Sequence, residues 1–284
     1  APKRGNTDFE PVELPEEAAG SIKEKVERTA KKFVSKVKGV FRPIQHTHKE
    51  ILINAESLET RVAITVKGKL ENLTIERMDS LRMVGSIYKG RIRNLEDGLK
   101  AAFVDIGLEK NAFLHYWDII PSPLDSSYDV VDRGKHKKEK PRITNKDIPR
   151  KYPSGTELTV QVTKGPIGTK GPRVTTNVLL PGRYLVLLPN SEQSGVSRKI
   201  ENREERARLK KIVRELDIPE GMGVIIRTAG QGQRKAYFIR DLAILLETWK
   251  EITGLVKTQK AGTCVFEEPD LVERTVRDFL TEDV

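Results

Sequence analysis

The chain of 284 residues holds a single cysteine, Cys264, which excludes an internal disulfide and any cysteine-based zinc site. Histidine is scarce as well. His46, His48, His115 and His136 show no metal-ligand spacing with carboxylates, so no metal site is expected. No run approaches the roughly 18 apolar residues of a membrane-spanning helix, and no signal-peptide pattern is visible. The chain therefore reads as cytoplasmic. Charge, by contrast, is abundant. Charged residues make up 32% and hydrophobic ones 37%, so folded cores under a heavily charged surface are expected. The net charge of +10 favours a polyanionic partner, nucleic acid or an anionic membrane. The length suits two or three modest domains.

Residues 1–15 are polar with three prolines and read as a disordered tail. Over 19–41, Ile22, Val26, Phe33, Val37 and Phe41 recur near helical spacing, with lysines and Arg28 on the other face. This basic amphipathic helix admits three placements: on its own domain, on RNA, or on an anionic membrane. Residues 50–77 alternate as short strands with a hairpin turn at Lys67-Gly68-Lys69. Short strands broken at Asp97-Gly98 and Gly107 fill 85–120, the rhythm of a small antiparallel barrel that 155–171 completes. Between them, 121–151 is rich in charge, proline and serine and reads as a mobile surface insertion.

Beyond the barrel, 173–191 reads as two strands around Pro181-Gly182, and 204–216 as a helix burying Leu209, Ile212, Val213 and Leu216. A strand ending in Val224-Ile225-Ile226 precedes a helix over about 234–253, which aligns Phe238, Leu242, Leu245, Trp249 and Ile252. A last helix starts near Pro269 and carries Leu271, Val272, Val276, Phe279 and Leu280.

Two places point to ligands. Phe103 and Phe113 lie in consecutive strands, and His115 falls on the same face as Phe113, two positions on. With Tyr88, Lys89 and Lys170 they form a candidate surface for stacking bases beside cations. The competing reading buries both phenylalanines in the core. The other place is IIRTAGQGQ, where a strand gives way at Arg227-Thr228 to a loop with Gly230 and Gly232. A guanidinium and a hydroxyl there suit a phosphate. A Rossmann fingerprint is excluded because position 235 is lysine, and a Walker loop because Gly-Lys-Ser/Thr is absent.

IYKGRIRNLEDGLKAAFVDIGLEKNAFLHYWDI resembles the S1 RNA-binding domain of the bacterial ribonuclease E/G family, and LPGRYLVLLPNSEQSGVSRKIENREERARLKKIVRELDIPEGMGVIIRTAGQGQ is similar to that family's 5′-sensor region. ILINAESLETRVAITVKGKLENLTIER resembles its N-terminal RNase H-like strands. The resemblance runs from about 50 to 284, leaving the first 48 residues uncovered and departing at 121–151. It implies an α+β protein: an S1 (OB-fold) β-barrel inserted into a partial RNase H-like subdomain, followed by an α/β 5′-sensor subdomain. The corresponding boundaries are 1–48 for the tail and basic helix, 49–84 for RNase H-like strands, 85–172 for the barrel, 173–267 for the sensor, and 268–284 for the start of the second RNase H-like part.

By the same resemblance, Arg227, Thr228 and the main chain of Val186 would hold the 5′-monophosphate of single-stranded RNA. Phe103, Phe113 and Lys170 would be the S1 contacts. Arg198 and Lys199 would hold backbone phosphate, with a solvated charge pair as the equal alternative. The family's catalysis belongs to a DNase I-like domain in which aspartates hold Mg²⁺, and that domain is not in this sequence; no cofactor is expected in the chain itself. Asp105, Asp118 and Asp241 show no paired spacing, so this chain alone is expected to be inactive. Oligomers are expected only of a full-length family member. Two functions compete: the RNA-recognition portion of an endoribonuclease in RNA processing and decay, or a stand-alone RNA-binding protein. The helix at 19–41 would permit either one to sit at the inner face of the cytoplasmic membrane. The strands at 50–77 are expected to lack part of their own fold and to expose an apolar face unless a helix or another chain covers it.

Overall fold

Alternation of small and branched apolar residues shapes one of the two hydrophobic cores. A computed structural model describes residues 48–77, 83–120, 127–134, 144–280 and 284. The helix expected over 19–41, together with His46, His136 and parts of 121–151, lies outside the described residues.

Strands β4 (Ile87–Glu96), β5 (Ala101–Asp105), β6 (Ala112–His115), β8 (Glu157–Lys164) and β9 (Arg173–Thr175) close into a barrel in the order β4-β5-β6-β9-β8, with β8 returning to β4. The closed five-strand barrel is consistent with an OB-fold. Its interior takes every second side chain: Ile92, Ala102, Val104, Ala112, Leu114, Val160, Val162 and Val174 are buried there. Because side chains alternate along a strand, Phe103, Phe113 and His115 must then point outward. Tyr116 plugs one end, and its hydroxyl donates to Asp97 at 3.0 Å. Burial, and then that hydrogen bond, push its phenol up to about 12.

A second sheet runs β10 (Leu180–Pro181), β11 (Leu185–Leu188), β13 (Gly223–Ile226), β12 (Ser194–Ser197) and β7 (Tyr128–Val131) in that order. Only β12 and β13 pair parallel in it. Two helices carry its core. Arg203–Glu215 is N-capped by Asn202, whose side chain accepts from the Glu205 N–H, and it buries Leu209, Ile212 and Val213. Lys235–Thr258 buries Phe238, Leu242, Leu245 and Ile252. Both were legible from periodicity, and the second runs past its expected end at 253.

Two segments differ from their expected places. The described part of the 121–151 insertion supplies β7, which adds an edge strand to the second sheet through pairs such as Ser194–Val131. Arg133 ties that edge down by donating to the Met222 carbonyl at 2.6 Å. Strand β14 (Thr263–Phe266), grouped by the expected boundary at 267 with the second sheet, instead pairs with β4 of the barrel.

The remaining sheet, β1 (Lys49–Ala55), β2 (Glu59–Val66) and β3 (Lys69–Arg77), is an antiparallel meander. Its β2–β3 turn puts Lys67 and Gly68 at positive φ, as a tight hairpin requires. Val62 and Ile64 are buried on one face, while register places Leu52, Ala63 and Leu73 on the other, where Leu52 and Leu73 are about half exposed. The helix Leu271–Phe279 docks beside it. Glu76 accepts from the Leu271 N–H at 3.0 Å and from Arg274 at 2.8 Å.

Candidate nucleic-acid interface

The outward positions of β5 and β6 converge on one cleft. Phe103 and Phe113 are direct cross-strand partners, and their half-buried rings meet edge to face, 5.9 Å between centroids. They share a cleft of about 760 Å³ with Lys110, Lys164, Lys170 and Arg173. Neither ring belongs to the barrel core, so the buried-core reading does not apply. Rings flanked by cations are the arrangement that tracks a single strand: bases stack on the rings and phosphates meet the ammonium groups.

His115 lies outside that cleft, one step along β6. Its ring meets Phe113 at 6.1 Å on one side and stacks on Trp117 at 3.2 Å and 15° on the other. Its Nδ1 is buried without a hydrogen-bond partner among the described residues. Burial depresses the imidazole below its ordinary value; Asp118 opposes this and Arg173 reinforces it. The unfolded chain therefore takes up this proton first on acidification. Stability contributed by neutral His115 is complete above about pH 6.5 and is lost as pH falls through the lower folded value. Urea unfolding at pH 7.5 and 5.5 is expected to show a smaller acid loss for His115→Phe, which keeps a stacking ring, than for the parent. Equal losses would refute this.

Tyr88 and Lys89 do not join the phenylalanines. That end of β4 lies between β8 and β14, and Tyr88 packs at Cys264. Burial, and secondarily Cys264, push its phenol up to about 12. The Lys89 ammonium is spent on the Gln259 carbonyl and Glu157, both at 3.0 Å. Both residues brace the barrel against the segment that follows the long helix.

At the second place, the end of β13, Arg227 is partly buried and Thr228 is exposed at the start of a 3-10 turn, Thr228–Gly230. The Arg227 N–H donates to the Tyr184 carbonyl at 2.9 Å. Its Nη1 donates to the Gly182 carbonyl at 2.5 Å and to Asp278 at 2.7 Å. Among the described residues, its Nε and Nη2 make no hydrogen bond. The edge of the guanidinium that forks onto two oxygens is thus uncommitted, while the far nitrogen is anchored. Burial alone would push the Asp278 carboxyl up, but hydrogen bonds from Arg277 and Arg227 outweigh it and hold the group below its ordinary range.

The loop geometry is enforced by glycine. A Cβ on Gly230 would stand 2.8 Å from the Phe238 ring, and Gly232 sits at φ +75°. Sequence reasoning missed two contributors here. Buried Asp241 accepts from the backbone N–H groups of Arg183, Tyr184 and Leu185, which fixes the turn presenting the Gly182 carbonyl. Asp278 is 51 residues from Arg227 in the chain, and no local pattern marks it. Val186 sits mid-sheet, bracketed by β10 and β13, and lines a different cleft with Tyr128 and Arg277. Arg198 and Lys199 are exposed after β12 and make no ion pair among the described residues.

The other carboxylates are occupied as well. Asp105 accepts from the Gly107 N–H at 2.9 Å and from Arg93, and Asp118 pairs with Arg173 at 2.9 Å. Among the described residues, no group of three or more His, Cys, Asp or Glu stands close enough to hold a metal, and no helix is long and apolar enough to cross a membrane.

Residues 179–284 match the model of the ribonuclease E/G family. Ribonuclease G of Escherichia coli (strain K12) is 42% identical over 230 residues, covering 81% of this chain and 45% of that protein. Ribonuclease G of Haemophilus influenzae is 40% identical over 231 residues, 81% of this chain and 45% of its own length. Ribonuclease E of Buchnera aphidicola is 37% identical over 238 residues, 83% of this chain and 23% of its own length. The chain spans less than half the length of these relatives.

Proposed function

Since the chain belongs to the ribonuclease E/G family, we propose that it is the RNA-recognition portion of an endoribonuclease in RNA processing and decay. The barrel binds single-stranded RNA in the cleft of Phe103, Phe113 and Lys170, and Arg227 with Thr228 takes the 5′-monophosphate. In this reading the barrel is an S1 domain, the second sheet with its helices is the 5′-sensor, and β1–β3 with the last helix are RNase H-like. The single observation that carries the proposal is the uncommitted Nε–Nη2 edge of Arg227, beside an exposed hydroxyl, on a chain that also presents outward rings among cations.

A terminal monophosphate offers more charge and more free oxygens than an internal phosphodiester, so a forked donor selects ends. Arg198 and Lys199 are assigned to backbone phosphate on the way. Val186 enters the proposal through its main chain alone, since its side chain lines a different cleft. Asp105, Asp118 and Asp241 do not fit a magnesium site, each being held by N–H groups or guanidinium, so no step of hydrolysis is assigned to them.

Fluorescence anisotropy with one RNA sequence carrying either a 5′-monophosphate or a 5′-hydroxyl tests the reading. The monophosphate form is expected to bind more tightly. Equal affinities would remove the 5′ assignment.

A further inference from the structure

We propose that Trp117 is the outer stacking platform of the barrel's RNA track and takes the base that His115 cannot reach. The inference rests on the single-strand reading of the barrel cleft. Four rings form a continuous row on the outer surface: Phe103 against Phe113, Phe113 against His115, and His115 under Trp117. In the last pair the planes are 15° apart at 3.2 Å, so the indole covers an imidazole face outright. A base arriving from the cleft past Phe113 finds that face closed and meets the outer face of the indole instead.

The indole is placed to receive it. Trp117 is 54% exposed, an unusual position for the largest apolar side chain when its neighbours Tyr116 and Ile119 are buried. Those two residues anchor the short turn Tyr116–Ile119 in the barrel. The backbone beneath Trp117 is pinned further: the Asp118 carbonyl accepts from the hydroxyls of Thr175 and Thr176 at 3.2 and 2.9 Å. A rigid aromatic plane held in water suits stacking, because little side-chain freedom remains to be lost on binding.

Charge continues along the same line. Arg173, which lines the cleft and lies in register with Phe113, also reaches Asp118 beside the indole. A phosphate passing from the cleft to Trp117 therefore stays near a guanidinium. Stacking does not read base identity, so the platform lengthens the bound strand without adding sequence preference.

The test uses a short unstructured RNA with a 5′-hydroxyl, so that the Arg227 site contributes nothing. Trp117→Ala is expected to weaken binding about 5- to 100-fold, Trp117→Leu nearly as much, and Trp117→Phe much less. In a Trp249→Phe background, Trp117 is the sole tryptophan, and its fluorescence is expected to be quenched on adding the RNA. This second measurement decides the matter if the alanine variant unfolds at a lower temperature than the parent. Wild-type affinity in Trp117→Ala alongside a loss in Phe113→Ala would overturn the inference and make the indole a cover for His115. Unchanged fluorescence on binding would overturn it equally. If neither Trp117→Ala nor Phe113→Ala weakens binding, the barrel reading falls and takes this inference with it.

Discussion

Replacing Arg227 by lysine is expected to cut the preference for 5′-monophosphorylated over 5′-hydroxyl RNA about tenfold, and replacing it by alanine to cut it by up to about 100-fold. These figures follow from roughly 1.5–3 kcal/mol for hydrogen bonds to a charged group, at 1.4 kcal/mol per tenfold. Lysine keeps the charge that Asp278 and the Gly182 carbonyl now meet at Nη1. It lacks the planar edge at Nε and Nη2, and that edge is what two phosphate oxygens would share. Loss should therefore follow geometry rather than charge alone. Affinity for 5′-hydroxyl RNA is expected to stay level in the lysine variant. Anisotropy titrations on both RNAs supply the ratio, and an unaltered ratio in Arg227→Ala would remove Arg227 from the site. Unfolding curves are needed beside them, since alanine also strips Asp278 of one of its two arginine partners.

Phe113→Ala is expected to behave in the opposite way, weakening both RNAs alike. Its ring stands outward between Phe103 and His115 and lines the cationic cleft, so a base stacked there is lost whichever group ends the strand. The expected cost is about 1–3 kcal/mol of binding. A loss confined to one RNA, or a collapse of thermal stability without loss of binding, would return the ring to a packing role.

The parts of the fold that were legible are those where local periodicity decides the outcome. The helix Arg203–Glu215 announces itself by Leu209, Ile212 and Val213 at helical spacing and by the capping Asn202. The outward pair Phe103 and Phe113 follows from strand alternation once Ala102, Val104, Ala112 and Leu114 are read as the barrel interior. What stayed hidden depends on partners distant in the chain. Tyr88 and Lys89 look like a ring and a cation free for RNA, yet β14, more than 170 residues on, claims that edge of β4. Tyr128–Val131 sits in a charged stretch with no strand rhythm of its own, and it becomes a strand because β12 offers an unpaired edge.

The candidate sites divide in the same way. The Arg227-Thr228 junction could be read from a strand that stops at a guanidinium before a glycine loop. Its anchoring by Asp278 and by the turn that Asp241 caps could not, because both arrive from helices later in the chain. Trp117 escaped notice for a related reason. Spacing along β6 places His115 beside Phe113, but the chain leaves the strand at Tyr116, and only the helical turn folds the indole back over the imidazole.

With a net charge of +10, the chain should attract any RNA, so added phosphate by itself is a weak probe. The most direct measurement compares the wild-type chain on one RNA sequence phosphorylated at its 5′ end and the same RNA phosphorylated at its 3′ end. Total charge is then equal and only its location differs. The account predicts tighter binding of the 5′ form at every salt concentration; equal affinities would show general attraction in place of a site for the strand's beginning.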